Sequence, residues 1–360
     1  MKKQTILFFA DRLPPCIGGM EMHAQYFIEH FTNHSLFPLI GTITKNEENK
    51  DCLVVKESKS PIEIQELPEL FNPAIIFFNS GRWIEELETI RKIFPQSIFV
   101  YRTGGNEILK APLIHKQIAN HSERQAFWAK TLNQTIDLLI TNSAYTESRL
   151  KSLGITCPFM RAVGGVNSAW LKLNQTPRQD SLIIFCAARF VPYKNHERLI
   201  TVFHKLLLRG HNVRLKLAGD GPLLVHIQEQ VLQIGVAPFV DFLGVLSNEK
   251  TCQEIAKANM YMQLSSDKIT EVPGGSYVHS ECMGRSILEA LTAGTFVIAG
   301  KGGALNEVVT KERGLLVEID QVEKMTAQID QILKKPLKRL PFLNEFSWSN
   351  IFRTYEEALS

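Results

Sequence analysis

The sequence predicts an α/β protein built from two parallel-sheet domains, on three observations. Its 360 residues exceed what one core ordinarily holds. Short apolar runs alternate with helix-like stretches in two successive series, and the runs are continuously apolar, as strands covered on both faces must be. A polar segment rich in Asn, Thr, Gln and Pro, residues 166–180, separates the two series.

The first series comprises "TILFFA" (5–10), "LFPLIGTIT" (36–44), "AIIFFN" (74–79), "SIFVYR" (97–102) and "DLLITNS" (137–143). The second comprises "SLIIFCAAR" (181–189), "VRLKLAGDG" (213–221), "VDFLG" (240–244), "MYMQLSS" (260–266), "TFVIAG" (295–300) and "GLLVEI" (314–319). Helical stretches such as "EMHAQYFIEHF" lie between them. Strands alternating with helices in this way predict two Rossmann-like, doubly wound domains, in which small ligands bind beyond the carboxyl ends of the strands. The expected division is 1–170, joined by a returning segment 343–360, and 171–342.

Composition narrows the function. Net charge is +3, and no basic run marks a nucleic-acid surface. The six cysteines form no C-x-x-C pair and predict buried thiols in a reducing compartment. The opening apolar run stops at Asp11, too short for a signal peptide or a membrane span, so a cytoplasmic location is expected. No G-x-G-x-x-G follows a strand, which disfavours a nicotinamide dehydrogenase.

The stretch "ECMGRSILEALTAG" (281–294) carries the chemistry. A helix opening at Arg285 or Ser286 and stopped by Gly294 would present free N–H groups and a positive dipole end, which favour a diphosphate. Gly284, without a side chain, lets an anion approach the backbone. Glu289, one turn in, can reach back toward that mouth, and Glu281 would meet the other end of the ligand. A nucleotide sugar fits such a pair; an ordinary capped surface helix fits it too. The following strand, the turn at Gly302 and Gly303 and then Glu307 extend the pattern.

Taken in order, "PPCIGGMEMHAQYF" (14–27), "AARFVPYKNHERLI" (187–200), "LAGDGPLL" (217–224), "VDFLGVLSNEK" (240–250), the 281–309 stretch and "FSWSNIFRTYEEAL" (346–359) resemble glycosyltransferase family 4, the retaining enzymes of GT-B fold. The resemblance covers nearly the whole chain. It implies two Rossmann-like domains facing each other across a cleft, with a nucleotide-sugar donor and a glycan or glycolipid acceptor in cell-surface polysaccharide or lipopolysaccharide synthesis. By that resemblance Glu281 holds sugar hydroxyls, Met283, Gly284, Arg285, Ser286 and Ile287 contribute backbone donors, and Glu289 binds the ribose. Gly18 and Gly19 approach the phosphates from the first domain. Val245 lies in a nucleotide-side segment, and Glu21 and His23 fit the pattern either as ligand contacts or as a helix face.

Charge on the departing diphosphate must be neutralised. The chain has no Asp-x-Asp and no cluster with metal-ligand spacing, so no metal or other cofactor is expected. Arg189 and Lys194, just after a strand, offer fixed cations instead. Two stretches depart from the family pattern. "FVYRTGGNEI" lacks the histidine many members carry, leaving Arg102, Thr103 and Asn106 as candidate sugar or acceptor contacts. "SSDKITEVPGGSYVHS" (265–280) is an extended loop, read either as a donor lid or as inert surface. The segment 107–135 mixes Lys110, Lys116, Arg124 and Lys130 with Ile114, Phe127 and Trp128. It reads as a membrane-surface contact, an acceptor groove or plain cover for a sheet. The competing functions are a catalytically silent nucleotide-sugar-binding protein and a same-fold epimerase or hydrolase.

Overall fold

The computed structural model describes residues 3–13, 18–45, 53–56, 61–79, 81–113, 116–171 and 181–360. Cys16, Cys52, Ile114 and most of the expected linker fall outside them. The chain divides into two compact units: Met1–Val163 with Ile269–Cys282 and Trp348–Ser360, and Gly164–Lys268 with Met283–Ser347.

The first unit is built on β1 (Ile6–Phe9), β2 (Leu39–Lys45), β3 (Leu53–Val55), β4 (Pro61–Ile62), β5 (Ile75–Phe78), β6 (Ile98–Arg102), β7 (Leu138–Thr141) and β8 (Phe159–Arg161). They form one sheet in the order β4-β3-β2-β1-β5-β6-β7-β8. β2, β1, β5, β6, β7 and β8 run parallel, while β3 and β4 add an antiparallel edge. Strands β1 and β5 are buried at every position, which explains their unbroken apolar runs. One sheet face packs Phe8, Phe27 and Phe77 together with Trp348, Phe352 and Tyr355 of the last helix, Trp348–Leu359. Those three lie at helical spacing, so a single face of that helix carries the contact. Glu356 fastens it further, with its carboxylate 2.6 Å from His30 Nε2 and 3.3 Å from His34 Nε2. The Phe37 N–H donates to His34 Nδ1. His34 thus accepts at Nδ1 and turns Nε2 toward Glu356, and the trio ties the two helices together.

The second unit contains β9 (Leu182–Ala187), β10 (Val213–Ala218), β11 (Val240–Phe242), β12 (Met260–Gln263), then β15 (Phe296–Gly300) and β16 (Gly314–Val317). The sheet order is β11-β10-β9-β12-β15-β16, parallel throughout. Numbered from its own first strand, that is the doubly wound order 3-2-1-4-5-6, whose switch point falls between β9 and β12.

The stretch read as a loop at 265–280 is a two-stranded ribbon, β13 (Lys268–Val272) and β14 (Gly275–His279), turning at Pro273-Gly274. The sequence-based division placed it in the second domain; from Ile269 on it groups with the first unit. Its turn is anchored there: the His121 N–H donates to the Pro273 carbonyl at 2.9 Å, and the Ser122 hydroxyl to that of Gly274 at 2.9 Å. The returning segment that joins the first unit is 348–360, five residues shorter than expected.

Trp128, offered as a membrane contact, is fully buried in the first unit's core. Phe127 packs against that core and lies under the Lys116 ammonium at 4.3 Å. The apolar face of the His121–Thr135 helix thus covers the sheet. Among the described residues no helix is long and apolar enough to cross a membrane. The four described cysteines, Cys157, Cys186, Cys252 and Cys282, are buried and form no disulfide among themselves; burial pushes the Cys157 thiol up to about 11 and Cys186 to about 12.

Candidate functional site

In the second unit the switch point gathers most of the expected donor residues. The loop leaving β9 carries exposed Arg189, then a single 3₁₀ turn, Pro192–Lys194, that ends on half-buried Lys194. Asn195 follows in the left-handed region, φ 52°, a conformation asparagine tolerates better than most residues. Its side-chain amide donates to the Leu264 carbonyl at 2.7 Å and to the Ser266 hydroxyl at 2.9 Å, while the Ser266 N–H donates to the Tyr193 carbonyl at 2.9 Å. The loop after β9 is therefore stitched to the loop after β12, and Lys194 stands on a fixed base.

The Arg285–Ala293 helix opens beside the same strands. Gly284 is its N-cap, at φ 73°, and supplies no side-chain cap; Gly294 stops it at φ 74°. A positive φ at both ends is why glycine stands at both. The Tyr261 hydroxyl lies 2.8 Å from Ser286 Oγ, 3.0 Å from Gln263 Oε1 and 3.1 Å from the Ala187 carbonyl. Gln263 in turn donates to the Ser265 hydroxyl at 2.9 Å. This buried net ties the helix mouth to the ends of β9 and β12. Sequence reasoning missed Tyr261, Gln263, Ser265 and Asn195. A signal for the first three was present: polar groups at alternate positions of an otherwise apolar buried run.

Glu289 is 6% exposed, with the Arg285 Nε 3.7 Å from its carboxylate. Burial raises its carboxyl above the ordinary carboxylate range, and Arg285 only partly opposes this. A carboxyl with a raised folded-state value stabilises the fold at low pH and loses that contribution as pH rises through it. Glu289→Gln is therefore expected to raise the thermal midpoint of the ligand-free protein at neutral pH and to leave it unchanged near pH 4. A midpoint difference that does not depend on pH would contradict this. His196, next to Lys194, stacks on Phe190 at 4.2 Å, and burial pushes it down to about 4. Met283 and Ile287 flank the helix mouth, half-buried and buried. Val245 is well exposed beyond β11. Gly302 and Gly303 form the turn after β15, and Glu307 is exposed.

In the first unit the switch point lies between β1 and β5. Gly18 and Gly19 begin the Gly19–Phe31 helix there, with the Glu21 carboxylate folded over Gly18, where an added Cβ would stand 2.2 Å from it. His23 is a core residue, fully buried and 3.1 Å from the Tyr355 hydroxyl. Burial holds its imidazole well below the usual range. The 102–106 candidates separate. The Thr103 hydroxyl donates to Glu107 at 2.6 Å and accepts from the Gly105 N–H, which closes the turn. Asn106 gives both ends of its amide to the Ser280 backbone, at 2.9 and 3.3 Å. Tyr145 holds the Ser280 hydroxyl at 2.6 Å. Asn106 thus fixes the residue before half-buried Glu281. Arg102 is buried at the end of β6.

Residues 171–345 match the family described as Glycosyl transferases group 1. The chain is 26% identical to the GDP-mannose-dependent monoacylated alpha-(1-6)-phosphatidylinositol monomannoside mannosyltransferase of Corynebacterium glutamicum, over 94% of this chain and 90% of that one. Among solved structures, HepE of Anabaena in complex with UDP and glucose superimposes with a TM-score of 0.67 at 16% identity, covering 99% of each chain. The lipopolysaccharide outer core galactosyltransferase WaaB, in its apo form, does so at 0.68 and 15%, again over 99% of each. The two Rossmann-like units are those of the GT-B fold, and through residues 171–345 the second of them is similar to the group 1 glycosyl transferases.

Proposed function

We propose that the protein is a retaining, metal-independent hexosyltransferase that moves a sugar from a UDP- or GDP-sugar to a glycan or glycolipid acceptor. The observation that carries this is the second unit's switch point. There a stitched loop presents Arg189 and Lys194, and a buried hydrogen-bond net binds the uncapped helix mouth at Gly284 to the same strand ends. Preorganised cations and backbone dipoles stabilise the charge that develops on a leaving diphosphate without reorganising at the moment of reaction. The N–H groups of Arg285, Ser286 and Ile287 suit the phosphates, and Glu289 in its ionised form accepts from ribose hydroxyls. Glu281, held through Ser280, serves the sugar, Gly19, open where a side chain would stand, admits the phosphates once the Glu21 carboxylate leaves Gly18, and Val245 lies on the base side. With the leaving phosphate assisting attack on the same face of the sugar, no side-chain nucleophile is required. The likeness to a mannosyltransferase acting on a phosphatidylinositol mannoside favours a glycolipid acceptor, met at the inner membrane face by a cytoplasmic enzyme.

The test is a thermal-shift panel of UDP, GDP and ADP with their common sugars, followed by product analysis with and without acceptor. One uracil or guanine nucleotide is expected to raise the midpoint by linkage, by an amount set by its concentration over Kd. An unmoved midpoint across the whole panel would refute the donor site, and release of free sugar in place of transfer would refute the acceptor half of the reading.

A further inference from the structure

We propose that Arg102 is an oxyanion-binding residue of the first unit, and that its ligand is a phosphate or carboxylate group on a substrate. Calling that ligand a substrate rests on the transfer reading above; the binding itself does not.

Arg102 is 5% exposed. Its hydrogen-bond partners are Asn79 Oδ1 at 3.3 Å, the Met20 sulfur at 3.1 Å and the Tyr355 hydroxyl. None is charged, and a thioether is among the weakest acceptors a protein offers. Among the described residues no carboxylate stands within ion-pair distance of it. The acids nearby face elsewhere: Asp11 pairs with Arg82 at 2.9 Å, and Glu107 accepts from Thr103 and from the Gly104 N–H at 2.7 Å. Its other titratable neighbours are neutral. Burial keeps His23 unprotonated, aided by the Arg102 charge itself, and burial raises Tyr355. A permanent cation withdrawn from water into neutral surroundings is costly, and buried charges are ordinarily paired.

The position explains why such a cation would be kept. Arg102 closes β6, Asn79 follows β5, and Met20 sits in the first turn after β1, so the three converge at the first unit's switch point. That is where doubly wound sheets bind ligands. Gly19, in the same turn, has open space where a side chain would stand. The Met20 side chain is long and flexible enough to yield its place to an oxygen, and the guanidinium fork then grips a carboxylate or phosphate through parallel N–H donors.

The experiment measures inorganic phosphate binding by calorimetry and thermal shift on the full chain. It is run in an Arg189→Ala, Lys194→Ala background, so that the second unit's cations do not contribute. Phosphate is expected to raise the midpoint with Arg102 present and to bind about 10- to 100-fold more weakly after Arg102→Met, the loss that removal of hydrogen bonds to a charged group produces. Without phosphate, Arg102→Met is expected to be at least as stable as its parent, because it removes an uncompensated buried charge. Arg102→Gln, which keeps a polar side chain, should also lose the phosphate response. Two further arms distinguish the sources: glycerol 3-phosphate against glycerol for a lipid headgroup, and glucuronate against glucose for an acidic sugar. An unchanged phosphate response in either variant, or an Arg102→Met protein destabilised in the absence of any anion response by its parent, overturns the assignment. None of these readings needs turnover, so failure of the transfer reaction would register separately.

Discussion

Alanine at Lys194 is expected to lower kcat/KM for sugar transfer by about 10²–10³-fold, equivalent to about 2.7–4 kcal/mol of transition-state stabilisation. The thermal midpoint of the free protein should be nearly unchanged. The 3₁₀ turn that carries Lys194 is held by backbone and Asn195 contacts. Glu281→Ala should give a loss of similar size, since Asn106 and Tyr145 position Ser280 independently of the carboxylate. The check is steady-state kinetics beside circular dichroism. Wild-type kcat/KM in both variants would remove these residues from the mechanism.

The largest effect on stability is expected at Gly219. Its φ is +133°, and a Cβ placed there would stand 2.1 Å from the Ala188 carbonyl oxygen. Backbone, not a flexible side-chain end, blocks the space, so relief requires moving the loop that leads to Arg189. Gly219→Ala is expected to cost about 3 kcal/mol or more, summing left-handed strain with displacement of packed backbone. Gly154→Ala is the control: φ is +83° and no atom lies within 4 Å of the added methyl. It should cost only about 1–2 kcal/mol, the conformational penalty alone. Denaturant titration of the two variants decides, and equal losses would mean that the Ala188 approach carries no cost.

Much of this was legible in the chain. The eleven apolar runs all became strands, and in β1 and β5 burial on both faces leaves an unbroken signature. β3 and β4, with three and two residues, are too short to show a pattern, and Pro61 suits β4 only because it lies at an edge. The ribbon at 268–279 was hidden for a different reason. Its exposed, polar strands look like loop, and only its Pro-Gly turn announced a reversal. Arg189, Lys194 and Gly284 could be read from position alone, since they follow strands or open a helix. Arg102 and Asn106 could not. Their neighbours in sequence say nothing of Met20, Asn79 or Ser280, which come from 23 to 174 residues away.

The ribbon has a consequence for how the molecule can be taken apart. Because 269–282 leaves one unit to join the other and then returns, the backbone passes from unit to unit four times, at 163–164, 268–269, 282–283 and 347–348. A protease that nicks one of these crossings leaves three intact, so no single cut liberates either half. A gene fragment ending near residue 163 would likewise encode a sheet stripped of its ribbon and of its closing helix.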